Sequence, residues 1–153
     1  RSIGEKLALG AVQSLQDSPV IPTSSAIIIK QKIIYVPLQN TRFILANKLG
    51  MIPDLRNKDG DVEVELNFIK IGPDVSGLEI VTVPGELFPG IWFRIKEKMS
   101  GRPTMIWGLT NGLLGYIMSK DEYLSGRHSY HNGVSVGAEI GDRVEKALEE
   151  IIK

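Results

Sequence analysis

Cysteine is absent from the 153 residues. That excludes a disulfide scaffold, a thiol nucleophile and any Cys-ligated metal centre. Histidine is scarce: His128 and His131 are the two present, and two cannot build an all-histidine metal site. No apolar run approaches the ~20 residues that span a bilayer. An excess of one charge is missing as well. Eighteen Lys+Arg balance eighteen Asp+Glu, whereas a nucleic-acid binder normally carries a basic surplus, so no nucleic-acid partner is expected. What remains is globular, with 42% hydrophobic and 24% charged residues, unlike a disordered chain. The length suits a single domain, or the C-terminal part of a larger one. The chain opens on Arg1. No charged head, apolar core and small-residue cleavage site follow it, so it is expected to carry no signal peptide, and its compartment stays open. A processed product or a piece of a longer protein would begin this way.

The pattern of apolar residues predicts a mixed α/β fold. Ile3, Leu7, Ala11 and Leu15 recur every four residues, the stripe of an amphipathic helix over 2–17, with Ser2 and Glu5 placed as a capping box. Pro19 and Pro22 should keep it from continuing. The β-branched run in 25–37 predicts a strand or hairpin arm. Asn40 is placed to cap a short helix that Gly50 ends. From Val62 the chain alternates: Val62, Val64, Leu66 and Phe68 on one side, Glu63, Glu65 and Asn67 on the other. This is a strand over 62–71 with one wet face. Residues 78–83 are continuously apolar, as in a more deeply buried strand. The Asp59-Gly60 and Pro73–Gly77 turns suggest an antiparallel meander. Phe88, Ile91, Trp92, Ile95 and Met99 then recur at helical spacing over 87–99, stopped by Gly101 and Pro103. A strand follows over 104–110. Strand, helix, strand in this span is a βαβ unit with two parallel neighbouring strands. A last helix covers 138–152.

The βαβ unit makes a geometric prediction. Ligands in open α/β sheets bind outside the carboxyl ends of the strands. Glu86 follows one such end, and Thr110, Asn111 and Tyr116 follow the next. Glu86, Asn111 and Tyr116 could therefore face one crevice. Glu86 also sits at the predicted helix start, where the dipole favours an ionised carboxylate, a good metal ligand or general base. The plainer alternative is that Glu86 caps the helix, Asn111 turns the chain and Tyr116 is a core anchor.

Other patterns are weaker. Gly133-Val134-Ser135-Val136-Gly137 matches the G-x-S-x-G nucleophile elbow, but a polar loop precedes Ser135 and no histidine follows it. His128 and His131 form H-x-x-H, yet the flanking Gly and Asn residues argue for exposed loop histidines. Asn57, Asp59, Asp61 and Glu63 alternate like a calcium loop. Val62 and Phe68, however, occupy the positions that need glycine and glutamate, so a solvated, metal-free turn is expected. Trp92 and Trp107 are expected in the core.

Several segments resemble the neutral/alkaline ceramidase family. They are Thr82-Val83-Pro84-Gly85-Glu86-Leu87-Phe88-Pro89-Gly90, Gly108-Leu109-Thr110-Asn111, Gly115-Tyr116-Ile117 and Asp121-Glu122-Tyr123, in order and at compatible spacing. Ser135-Val136-Gly137-Ala138-Glu139 looks like a further family segment, with Ala138 and Ile140 where the family has proline and threonine. The resemblance covers about residues 80–140. It implies a zinc-dependent amidase whose metal is held by two histidines, one glutamate and one tyrosine. Glu86 and Tyr116 stand at the glutamate and tyrosine positions, as catalytic and metal-binding residues, with Asn111 lining the same cavity toward substrate. Their side-chain oxygens should lie within about 5 Å of each other to share one ion. The family's histidines lie upstream of the P-G-E segment, whereas His128 and His131 both follow it. The missing ligands would come from an upstream histidine-bearing segment, in cis or as a second chain. The substrate class implied is a lipid amide or related small amide. Two other readings stay open: a non-catalytic or degenerate homologue acting as a structural or binding module, and a serine hydrolase using Ser135.

Overall fold

The alternation from Val62 holds on its apolar side, where Val62, Val64, Leu66 and Phe68 are buried; opposite them Glu63 and Glu65 are partly exposed, but Asn67, expected on the wet face, is buried with its Nδ2 donating to Thr82 Oγ1 at 3.0 Å. The structure, a computed structural model, describes residues 2–17, 26–52, 55, 57–72, 77–100 and 103–153. Pro19, Pro22, Gly101, residue 25 and most of the Pro73–Gly77 turn lie outside the described residues. The chain is a mixed α/β fold. Its elements are α1 (Ile3–Asp17), β1 (Ile27–Pro37), α2 (Thr41–Lys48), β2 (Asn57–Lys58), β3 (Asp61–Ile71), β4 (Leu78–Thr82), β5 (Glu86–Leu87), α3 (Pro89–Lys98), β6 (Thr104–Trp107), β7 (Tyr116–Ile117), α4 (Lys120–Leu124), α5 (Ser129–Gly133) and α6 (Ile140–Ile152). No helix among the described residues is long and apolar enough to cross a membrane.

The main sheet runs β1-β3-β4-β6, with β2 added beside β3. β1 and β4 flank β3 antiparallel, and β4 pairs β6 in parallel from Glu79↔Thr104 to Thr82↔Trp107. α3 makes the crossover between those parallel strands. The β2–β3 turn is Asp59-Gly60, both at positive φ (55° and 90°), which suits a tight hairpin. Asp59 is exposed and Asp61 partly so.

One face of the sheet is covered. Val62, Val64 and Leu66 pack with Ile91 and Ile95 of α3 and with Val144, Leu148 and Ile151 of α6, all within one core cluster. Fully burying each such aliphatic side chain contributes roughly 1.5–3 kcal/mol. The other face is partly bare. Trp107, expected in the core, points there and is 45% exposed. Its register partner Thr82 faces the same way, because paired residues in a ladder share a face. Trp92 does pack against the core.

Two boundaries differ from expectation and bear on the site. The crossover helix starts at Pro89 behind an N-cap Phe88, since proline suits the first turn, where no N–H is needed. Glu86 therefore does not cap that helix. It lies in the short strand β5, which pairs in parallel with β7. The H-x-x-H segment also departs from a loop: Ser129–Gly133 form a short helix.

Candidate active site

The segment after β4 is wired into the two segments that follow β6. Val83 N–H donates to Trp107 O (3.0 Å), Leu109 N–H to Gly85 O (3.2 Å), Leu114 N–H to Pro84 O (2.8 Å) and Glu86 N–H to Gly115 O (2.8 Å). These bonds bring Glu86 opposite Tyr116 and Leu87 opposite Ile117 in the β5–β7 ladder. The backbones approach closely at two glycines. A Cβ on Gly85 would lie 2.5 Å from Gly115 O, and one on Gly115 would lie 1.9 Å from Val134 O. Gly115 also has φ +69, a conformation side chains resist. The glycines of the P-G-E and G-Y-I segments are thus needed by the packing that sets Glu86 beside Tyr116.

The Tyr116 phenol lies above its ordinary pKa of 10.0. Burial is the first cause, and the Glu86 carboxylate adds to it by charge and by a side-chain hydrogen bond. Both causes favour the protonated phenol in neutral water. Glu86, Leu87, Phe88, Pro89, Tyr116, His128 and His131 line a cavity of about 340 Å³.

His128 and His131, read from sequence as exposed loop residues, are half-buried in this cavity. The His131 ring meets Tyr116 edge-on with centroids 4.5 Å apart, and Phe88 stands 5.2 Å from His128 and 5.4 Å from His131. Nδ1 of His131 is buried with no hydrogen-bond partner among the described residues. The helix that follows His128 and carries His131 is held from several directions. Tyr116 N–H donates to Val134 O (2.8 Å). Asn132 Nδ2 donates to Tyr123 O (2.6 Å), and Asn40 Nδ2 to Ser135 O (2.7 Å). Gln39 Oε1 accepts from Ala138 N–H at 3.0 Å. Asn40 is also the helix cap that its position predicts, accepting from Arg42 N–H at 2.9 Å.

The Asp121-Glu122-Tyr123 segment is explained in the same terms. Glu122 forms a capping box with Ser119 at the start of α4, and the carbonyl of Tyr123 anchors Asn132.

Asn111 lies apart from this cavity lining. Its Nδ2 donates to Glu65 Oε1 at 2.7 Å, which places it over the bare sheet face rather than beside Tyr116. It adopts φ 63°, a left-handed conformation that asparagine tolerates in a turn. Ser135 is fully buried, and its hydroxyl faces Gly137 O at 3.5 Å. An elbow nucleophile must be exposed to substrate, so this structure does not support Ser135 as one.

No protein-family model matches the chain, and no curated protein does. Among solved structures the chain is similar to the neutral ceramidase of Pseudomonas aeruginosa, at 13% identity and a TM-score of 0.49, over 82% of this chain and 28% of that one. A likeness of that degree leaves function to be argued from the side chains themselves. Because the chain spans 28% of the matched protein, the activity, substrate and partners of a whole protein are matters of proposal.

Proposed function

We propose that this chain contributes part of the metal site of a zinc-dependent amide hydrolase of the neutral ceramidase type, cleaving the N-acyl bond of a lipid amide or related amide. The observation that carries the reading is the pairing of Glu86 with Tyr116. A carboxylate and a phenol far apart in sequence are register partners on one short ladder, and the carboxylate's charge raises the phenol's pKa. Both stand at the positions that the motif resemblance gives to metal ligands.

The donor chemistry fits zinc in part. A carboxylate oxygen is an ordinary zinc ligand and a phenol oxygen a rarer one. Among the described residues no three His, Cys, Asp or Glu side chains converge into a metal-holding group. Glu86 and Tyr116 would hold the ion from this chain, and an upstream histidine-bearing segment, in cis or on a second chain, would complete the set. A bound zinc ion supplies Lewis acidity toward an amide carbonyl and toward water. With the ion bound, Tyr116 would serve either as a ligand with its pKa lowered by the metal or, where it keeps its proton, as a donor to the oxygen that gains charge when an amide carbonyl is attacked. Leu87, Phe88 and Pro89 give the cavity an apolar wall suited to an alkyl chain. The imidazoles of His128 and His131 stand where a proton could be passed to a leaving amine.

Amide hydrolysis by the complete protein, followed with a fluorogenic N-acyl amide, tests the reading. Glu86→Ala should abolish turnover with the fold intact by circular dichroism. Tyr116→Phe should lower kcat while preserving packing. Full activity in the double variant would end the proposal.

A further inference from the structure

β1 is an edge strand of the main sheet. Among the described residues it pairs with β3 on one side and with no strand on the other. In an antiparallel ladder the N–H and C=O of one residue point to the same neighbour, and those of the next residue point away. Gly72 N–H donates to Ala26 O and Leu38 N–H to Gly60 O, both at 3.0 Å. These bonds bracket β1 in a single register, so its even-numbered residues bond to β3. The backbone groups of Ile27, Ile29, Gln31 and Ile33 therefore point outward. Tyr35 O, next in that row, accepts from Arg143 Nη1 at 3.1 Å. An 11-residue, isoleucine-rich strand with such a row of donors and acceptors is a template for one more strand.

A cavity of about 210 Å³ lies beside this edge, where α6 packs over β1. Lys32, Ile34, Arg143, Lys146, Ala147 and Glu150 line it. The cations outnumber the single carboxylate. Lys32 pairs with Glu150, and Lys32 first and Lys146 after it hold the Glu150 carboxyl below its ordinary range. Two lysines thus share one anion. Arg143 is matched by Glu139, outside the cavity lining. A strand added to β1 would continue the pleat. Alternate side chains would enter the cavity, and the others would lie beside Ile29 and Ile33, both exposed.

We propose that the β1 edge receives an extended segment of a partner protein, one that alternates acidic with β-branched residues. The acidic side chains would meet Lys32 and Lys146, and the β-branched ones would cover Ile29 and Ile33. A second copy of this chain fits less well. Full antiparallel overlap of β1 with itself, centred on Gln31, puts Lys30 of one copy opposite Lys32 of the other, and like charges directly opposite destabilise a ladder. β3 separates this edge from β4, the strand that leads to Glu86, so the inference stands apart from the proposed activity.

Fluorescence anisotropy with a short labelled peptide that alternates valine with glutamate tests this. It should bind this chain about tenfold or more tighter than the same peptide with lysine for glutamate, and added salt should weaken it. Ile33→Pro removes one outward N–H and keeps the bonds to β3, a placement that edge strands accept. It should weaken binding about tenfold relative to Ile33→Ala. Lys146→Glu, at an exposed position, should narrow the gap between the two peptides. Circular dichroism checks that each variant is folded. Equal affinities of the two peptides, or Ile33→Pro binding as well as Ile33→Ala, would overturn the proposal. A dimer in sedimentation that Ile33→Pro dissolves and the peptide cannot enter would overturn it in favour of a second copy.

Discussion

Glu86 stands directly opposite Tyr116 in the parallel β5–β7 ladder, and its carboxylate helps hold the phenol above its ordinary pKa. Because burial and then the carboxylate's charge disfavour the phenolate, the Tyr116 hydroxyl should titrate late. Glu86→Gln removes the negative charge and keeps the burial. In chelator-treated protein it should move the Tyr116 transition down toward the ordinary value without reaching it, read by ultraviolet absorbance against Tyr116→Phe as the blank. An unmoved transition would mean the two groups are not coupled.

The close backbone approach at Gly115 should be costly to fill. Gly115→Ala puts a Cβ 1.9 Å from Val134 O at φ +69 and should destabilise by about 2 kcal/mol or more. Gly126 has a similar φ of +73 but open space around it, so Gly126→Ala should cost only about 1 kcal/mol. Urea unfolding of the two variants separates crowding from backbone strain. Equal losses would show that the crossing of these segments is looser than described.

A buried ion pair should matter more than the surface ones. Lys70 Nζ lies 3.2 Å from Glu79 Oε1, with Lys70 9% and Glu79 1% exposed, and Ser100 Oγ donates to the same carboxylate at 3.1 Å. Glu79→Ala takes away the carboxylate 3.2 Å from the buried Lys70 ammonium and should be clearly destabilising, by about 2 kcal/mol or more, whereas replacing both residues by methionine should cost less. Denaturant midpoints check this. A small loss in Glu79→Ala would show that this pair is not what holds the Lys70 ammonium.

The parts of the fold legible in the sequence are those where one face decides burial. Val62, Val64, Leu66 and Phe68 announced their strand because the pleat alternates them into one core. The strands expected over 78–83 and 104–110, found at Leu78–Thr82 and Thr104–Trp107, read as parallel because a helical period separates them. The crevice reading brought Glu86 and Tyr116 together through strand-end topology, although a two-residue ladder has no periodic signature of its own. His131 was illegible for a different reason. Its place beside Tyr116 depends on Asn40 and Gln39, remote in sequence, gripping residues 132–138. Trp107 was misread because alternation tells which residues share a face, not which face is covered. The stripe on α1 signalled a helix correctly but could not say what it packs against. Asn111 followed the right strand end, yet its left-handed turn aims it at Glu65.

Zinc titration by calorimetry tests the central claim most directly. The account predicts weak binding at one site by this chain, because Glu86 and Tyr116 make half of a four-donor set. It also predicts that a folded Glu86→Ala, Tyr116→Phe variant loses that heat. Zinc binding unchanged in the double variant, or none in the unaltered chain, would contradict it.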